Sequence, residues 1–141
     1  MKLQDRDLRF GVLLLRLLIG LLLLVAGINK LIVYRDVVER ISSGFAEAWI
    51  PEPLVVGFVM VLPIAEVVLG LLLTVGLWTR PVLYLSGLLL IVLNFGLLAR
   101  GDTAGAAKNV PYVIVIFLDT ILLSYNTYSL DALSYKQRSV E

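Results

Sequence analysis

The chain has no cysteine and no histidine. Without thiols it forms no disulfide, no thiolate nucleophile and no iron–sulfur site, and without imidazole it offers haem or zinc no histidine ligand. Any redox chemistry therefore runs through a bound organic cofactor, a substrate or a partner protein. Charge is scarce as well: of 141 residues 16% are charged and 60% hydrophobic, with a net charge of +1. An ordinary soluble domain is about a quarter charged and roughly 45–50% apolar. A small soluble domain leaves much of its surface wet and cannot hide this much apolar area. The near-neutral balance gives no footprint for nucleic acid or an acidic substrate. The solvent that fits this composition is the lipid bilayer.

Four apolar segments, roughly 11–33, 54–77, 82–99 and 109–127, approach or exceed the roughly 20 helical residues that span a hydrocarbon core. The first is too long for a signal-peptide core and lacks a small-residue cleavage site, so it reads as a retained span. The expected fold is all-α, a polytopic four-transmembrane-helix bundle forming one membrane domain over residues 1–141. The short "GLWTRP" between the second and third segments makes them antiparallel neighbours, with Pro81 in the first turn of the third. In "YRDVVERISSGFAEAWIPEP", Tyr34, Val38, Ile41, Phe45 and Trp49 recur near helical spacing. That pattern predicts a short amphipathic helix at the membrane surface, interrupted near Ser42–Gly44; a solvated loop folded onto the bundle is the alternative. "GDTAGAAKN" reads as the last connection, with Asn109 capping the fourth span and Pro111 in its first turn. With both termini cytoplasmic, that side collects Lys2, Arg6, Arg9, Arg80, Lys136 and Arg138. The other side holds Arg35, Arg40, Arg100 and Lys108, with Lys30 at the helix end, and the bias narrowly favours termini inside.

Each span carries a strongly polar residue: Arg16 and Lys30 in the first, Glu66 in the second, Asn94 in the third, Asp119 in the fourth. A charge at mid-membrane costs about 2.5–3.5 kcal/mol on insertion scales, so these side chains should face the bundle interior. At about 100° per residue, Arg16, Gly20, Gly27 and Lys30 share a narrow sector of the first helix. Pro63 and Gly70 lie on the Glu66 side of the second, where small residues admit a neighbouring backbone. Lys108, Tyr112, Asp119 and Asn126 fall on one face of the fourth. The expected pairing is Arg16 with Glu66, leaving Asp119 less paired, while Lys30 extends to headgroups at the opposite boundary. Glu66, Asp119 and Asn94 show no diagnostic metal-ligand spacing. The alternative for Glu66 and Asp119 is to fix helix register through hydrogen bonds, and the alternative for Arg16 is to extend to headgroups.

"RLLIG…GINKL" in the first span, "AEVVLGLLLTVGLWTR" from the second into the turn and "YSLDAL" after the fourth together resemble the DoxX family. The match runs in order along nearly the whole chain. Those proteins are small four-helix membrane proteins related to the DoxD-type small subunit of thiosulfate:quinone oxidoreductase. The resemblance implies a prokaryotic cytoplasmic (inner) membrane protein with a redox association. It aligns Arg16, Gly20, Gly27 and Lys30 with the family's first-helix pattern, Glu66, Gly70, Gly76 and Arg80 with its second, and Ser129 and Asp131 with its final motif.

Two functions follow as expectations. In the first, the chain is a membrane subunit of a redox complex with a quinone between its helices. Glu66 and Asp119 would relay protons, and Arg16, Lys30, Asn94 and Tyr112 would bind. In the second, it is a non-catalytic accessory or anchoring subunit that contacts other membrane proteins through its outer faces. A small-solute transporter is disfavoured, because four spans show no inverted repeat or broken helix pair.

Overall fold

A computed structural model describes residues 4–46 and 48–132. Glu47 and three of the charges weighed for sidedness, Lys2, Lys136 and Arg138, lie outside the described residues. The described chain is all-helical, with α1 (Asp5–Ile32), α2 (Tyr34–Ser43), α3 (Glu52–Val75), α4 (Thr79–Ala99), α5 (Thr103–Ile121) and a 3₁₀ turn at Leu123–Tyr125. Four of these helices, α1, α3, α4 and α5, are long and apolar enough to cross a membrane. The molecule is a multi-pass membrane protein.

The helices begin and end where local chemistry dictates. α1 opens with Asp5 and Asp7 in its first turn, where acids complement the helix dipole. α2 is the predicted amphipathic helix; none of its residues is fully buried, and it stops at Gly44. The Tyr34 hydroxyl ties it to α3 by donating to the Met60 carbonyl at 3.2 Å. α3 ends in a left-handed cap at Gly76 (φ 72°), with Leu77 N–H donating to the Leu72 carbonyl at 3.0 Å and Gly76 N–H to Leu73 at 3.1 Å. A β-carbon at Gly76 would be strained by that φ, and it would also sit 2.6 Å from Arg16 Nη1.

The fourth span starts and stops earlier than its hydropathy indicates. Asp102 is the N-cap of α5, accepting from the Gly105 N–H at 2.8 Å, and the Ala-rich "TAGAAK" forms the opening turns. Asn109 and Pro111 therefore lie inside the helix and do not start it, which corrects the expected cap. At the other end, Thr120 Oγ1 donates back to the Ile116 carbonyl at 2.7 Å, and the chain leaves the helix at Leu122. Asn126 is therefore beyond α5, not on its face.

Ile19 and Leu23 of α1, Leu69 and Leu73 of α3, Leu83 and Leu90 of α4 and Ile116 of α5 form the shared core. The tightest pair is α1 against α3. A β-carbon at Gly20 would stand 2.7 Å from Thr74 Oγ1, one at Gly27 2.7 Å from the Pro63 carbonyl and one at Gly70 2.7 Å from the Gly20 carbonyl. Because association in lipid depends on close packing rather than hydrophobicity, this small-residue seam fixes the register of the two helices. Up–down connectivity gathers the start of α1, the α3–α4 turn and residues 122–132 at one end of the bundle. α2 and the α4–α5 turn lie at the other.

Candidate functional site

The α1–α3 register decides which charges meet. With Gly20 opposite Gly70 and Thr74, and Gly27 opposite Pro63 and Val67, Arg16 falls level with Gly76 and Lys30 near Glu66. Ten residues separate Gly76 from Glu66, about 15 Å along a helix, which puts the acid beyond the Arg16 guanidinium. The expected Arg16–Glu66 pair does not form. Lys30 takes that place: its Nζ donates to both Glu66 carboxylate oxygens, at 2.6 Å to Oε2. Lys30 thus turns inward and does not extend to headgroups, although 28% of its side chain stays exposed while Glu66 is buried. A four-carbon stem lets the ammonium reach down from the last turn of α1 while its methylenes lie on apolar surface.

Arg16 is 2% exposed, at the opposite end of the same seam. Its Nη1 donates to Asn126 Oδ1 and its Nη2 to the Tyr128 carbonyl, both at 2.6 Å. Asn126 Nδ2 in turn donates to Thr79 Oγ1 at 3.2 Å. Asp131 completes the cluster. Its carboxylate accepts from the Trp78 and Thr79 backbone N–H groups at 2.8 and 2.7 Å, and its own N–H donates to the Gly76 carbonyl at 3.1 Å. Trp78, at φ 50°, makes no side-chain cap for α4, so an acid from the far end of the chain caps that helix. Arg16 is a clamp on the segment after α5, and its hydrogen-bond partners are neutral oxygens.

Asp119 is fully buried on α5, and neither carboxylate oxygen has a hydrogen-bond partner. Arg16 and Asp131 act on each other electrostatically, as do Arg16 and Asp119. Arg16 Nε and the hydroxyl of buried Ser86 are also unpartnered. Asn94 meets Asn109 across α4 and α5, accepting from its Nδ2 at 2.9 Å. Tyr112 packs half-buried against the shared core. Lys108, expected on the Asp119 face, is exposed. Of the six candidate residues, then, Lys30 and Glu66 come together, Arg16 and Asp119 interact without a hydrogen bond, and Asn94 and Tyr112 stand apart. Among the described residues, no group of three or more acidic side chains converges as a metal site.

Sequence reasoning missed Thr79, the pairing of Asn109 with Asn94 and the capping role of Asp131. The visible signal for the last was the "SLD" motif after the fourth span, where two polar side chains follow an apolar run.

An apolar cleft of about 310 Å³ opens between α3 and α4 away from their turn. Phe58 and Leu62 line one side, Val92 and Gly96 the other, and Phe45 from the loop after α2 roofs it. Trp49 from the same loop packs edge-on against Phe95, ring centroids 6.0 Å apart. None of Arg16, Lys30, Glu66 or Asp119 lines this cleft.

A family model described as "Methylamine utilisation protein MauE" matches residues 8–106, from the first span into the start of α5. No curated protein and no solved structure matches the chain.

Proposed function

Because the chain belongs to the MauE family, we propose that it is an accessory integral-membrane subunit serving a redox system that uses methylamine, in a prokaryotic inner membrane with both termini cytoplasmic. The observation that carries this reading is where the interior charges go. Lys30 and Glu66 fasten α1 to α3, Arg16 fastens α1 to the segment after α5, and the apolar cleft between α3 and α4 contains none of them. Chemistry on a bound substrate needs polar groups aimed into a cavity, and Lys30, Glu66 and Arg16 are taken up by partners within the chain. The outer faces of the spans are left for lipid and for other membrane subunits. The DoxX resemblance points to the same class of small redox-associated membrane protein.

A second reading, quinone-linked electron transfer, draws on Asp119. An unpartnered buried acid inside a membrane is a group that proton-coupled chemistry uses. The test is deletion in the native host with complementation by the wild-type chain or by Asp119→Asn. Under the accessory reading, deletion lowers the amount of active methylamine-oxidising enzyme, turnover per enzyme molecule is unchanged, and Asp119→Asn restores the yield. A normal yield with electron delivery to the quinone pool lost, and not restored by Asp119→Asn, would establish the quinone-linked role instead. Normal methylamine-dependent growth after deletion would overturn both.

A further inference from the structure

The end of the bundle that carries α2 holds two adjoining hollows of opposite character. One is the apolar cleft between α3 and α4. The other, of about 440 Å³, is walled by Ser43, Gly44, Ala46, Ala48 and Ala99. Arg100 belongs to both, so a single cation stands where an oily slot meets a polar one. From this we infer that the two hollows together form a binding site for one anionic phospholipid, with an acyl chain in the α3–α4 cleft and the headgroup phosphate against Arg100.

The geometry around Arg100 supports that assignment. Its guanidinium is already held in place, Nη2 bonded to Asp102 Oδ2 at 2.7 Å and Cζ 5.9 Å from the centroid of the Phe45 ring. A planar guanidinium fixed on one edge keeps other donors free for a phosphate oxygen at little entropic cost. Gly44 keeps space open at that second edge, since a β-carbon there would lie 3.1 Å from Nη1. The slot is also accessible from the hydrocarbon: Leu54 and Phe95 on its rim are exposed, and Trp49 stands beside them as an interfacial aromatic. Gly96 narrows the α4 wall to backbone, with Phe45 Cζ 3.4 Å from where its β-carbon would be. A free phosphate ion would use Arg100 alone; only an amphiphile uses both hollows.

The full chain, purified in nonionic detergent, would be incubated with phosphatidylglycerol or phosphatidylcholine of identical acyl chains and analysed by native mass spectrometry. One phosphatidylglycerol per chain should be retained under conditions that remove phosphatidylcholine, and excess inorganic phosphate should not displace it. Arg100→Gln should weaken phosphatidylglycerol retention about tenfold, the scale of one charge-assisted hydrogen bond. Arg100→Lys should recover part of it, and Gly96→Leu, which fills the slot, should lower retention of both lipids. Equal retention of the two lipids by the wild type overturns the proposal whatever the variants do. So does an unchanged Arg100→Gln, displacement by phosphate, or co-purification of a quinone in place of the phospholipid.

Discussion

The two ends of this bundle solve the same problem in opposite ways. At the end holding the α3–α4 turn, backbone and side chains interlock: Arg16, Asn126, Thr79 and Asp131 join α1, α4 and the segment after α5 through hydrogen bonds of 2.6–3.2 Å. At the other end α3 and α4 part, and the space between them is filled from outside by Phe45 and lined with hydrocarbon. A single ion pair, Lys30–Glu66, braces α1 to α3 below that opening. Buried charge has a structural use at each end of this bundle. Here it closes one end and lets the other stay open.

The comparison breaks most sharply at Lys30. Lys30→Met leaves the Glu66 carboxylate buried without its cation, and removing one partner of a buried pair costs about 3–5 kcal/mol. Reversible unfolding in mixed micelles should show that loss, and Lys30→Met combined with Glu66→Leu should recover most of it. If Lys30→Met behaves like the substitution of an exposed charge such as Arg35, the pair is not a brace. A smaller effect belongs to the closed end. Asp131→Ala removes the cap of α4 and should cost about 1 kcal/mol, with faster amide exchange at Trp78 and Thr79 and no change around Glu66.

The smallest effect distinguishes the ends by pH. The Arg100 guanidinium, joined by the Gly105 N–H, holds the Asp102 carboxyl below the usual carboxylate range. A lowered folded value means that these contacts contribute fully above the ordinary aspartate pKa of about 3.9 and are lost as pH falls through the depressed value. Acidification should therefore lower the protection of the Gly105 amide, relative to its intrinsic exchange rate, before that of other amides, and Asp102→Asn should flatten that dependence. Equal pH dependence in the Asn variant would remove Asp102 as its source.

Much of this was legible in the residues, because length and apolarity alone require four spans. The helical wheel also placed Arg16, Gly20, Gly27 and Lys30 on one face of α1, and that face does meet Pro63 and Gly70. The wheel gives direction but not height. Which basic residue reaches Glu66 depends on how far α1 slides along α3, and that is set by backbone contacts at three glycines, which carry no side chain to read. The boundaries of α5 were hidden for a different reason. Gly101 and Asp102 look like loop from their residue types, yet Asp102 is the cap that starts the helix, and mild polarity in "TAGAAKN" concealed a good helix former. Asp131 lay out of reach because its partners are remote in sequence, and local patterning carries no information about them.

The remote cap of α4 also orders events during biosynthesis. Asp131 lies 52 positions after Thr79, so the acid is synthesised only after all of α4 and α5 has been translated. Until then the amides of Trp78 and Thr79 lack the carboxylate that accepts from them in the folded chain. Only once residue 131 has been made can they be closed, and a chain cut short before it would retain all four described spans yet leave the α3–α4 hairpin without its cap.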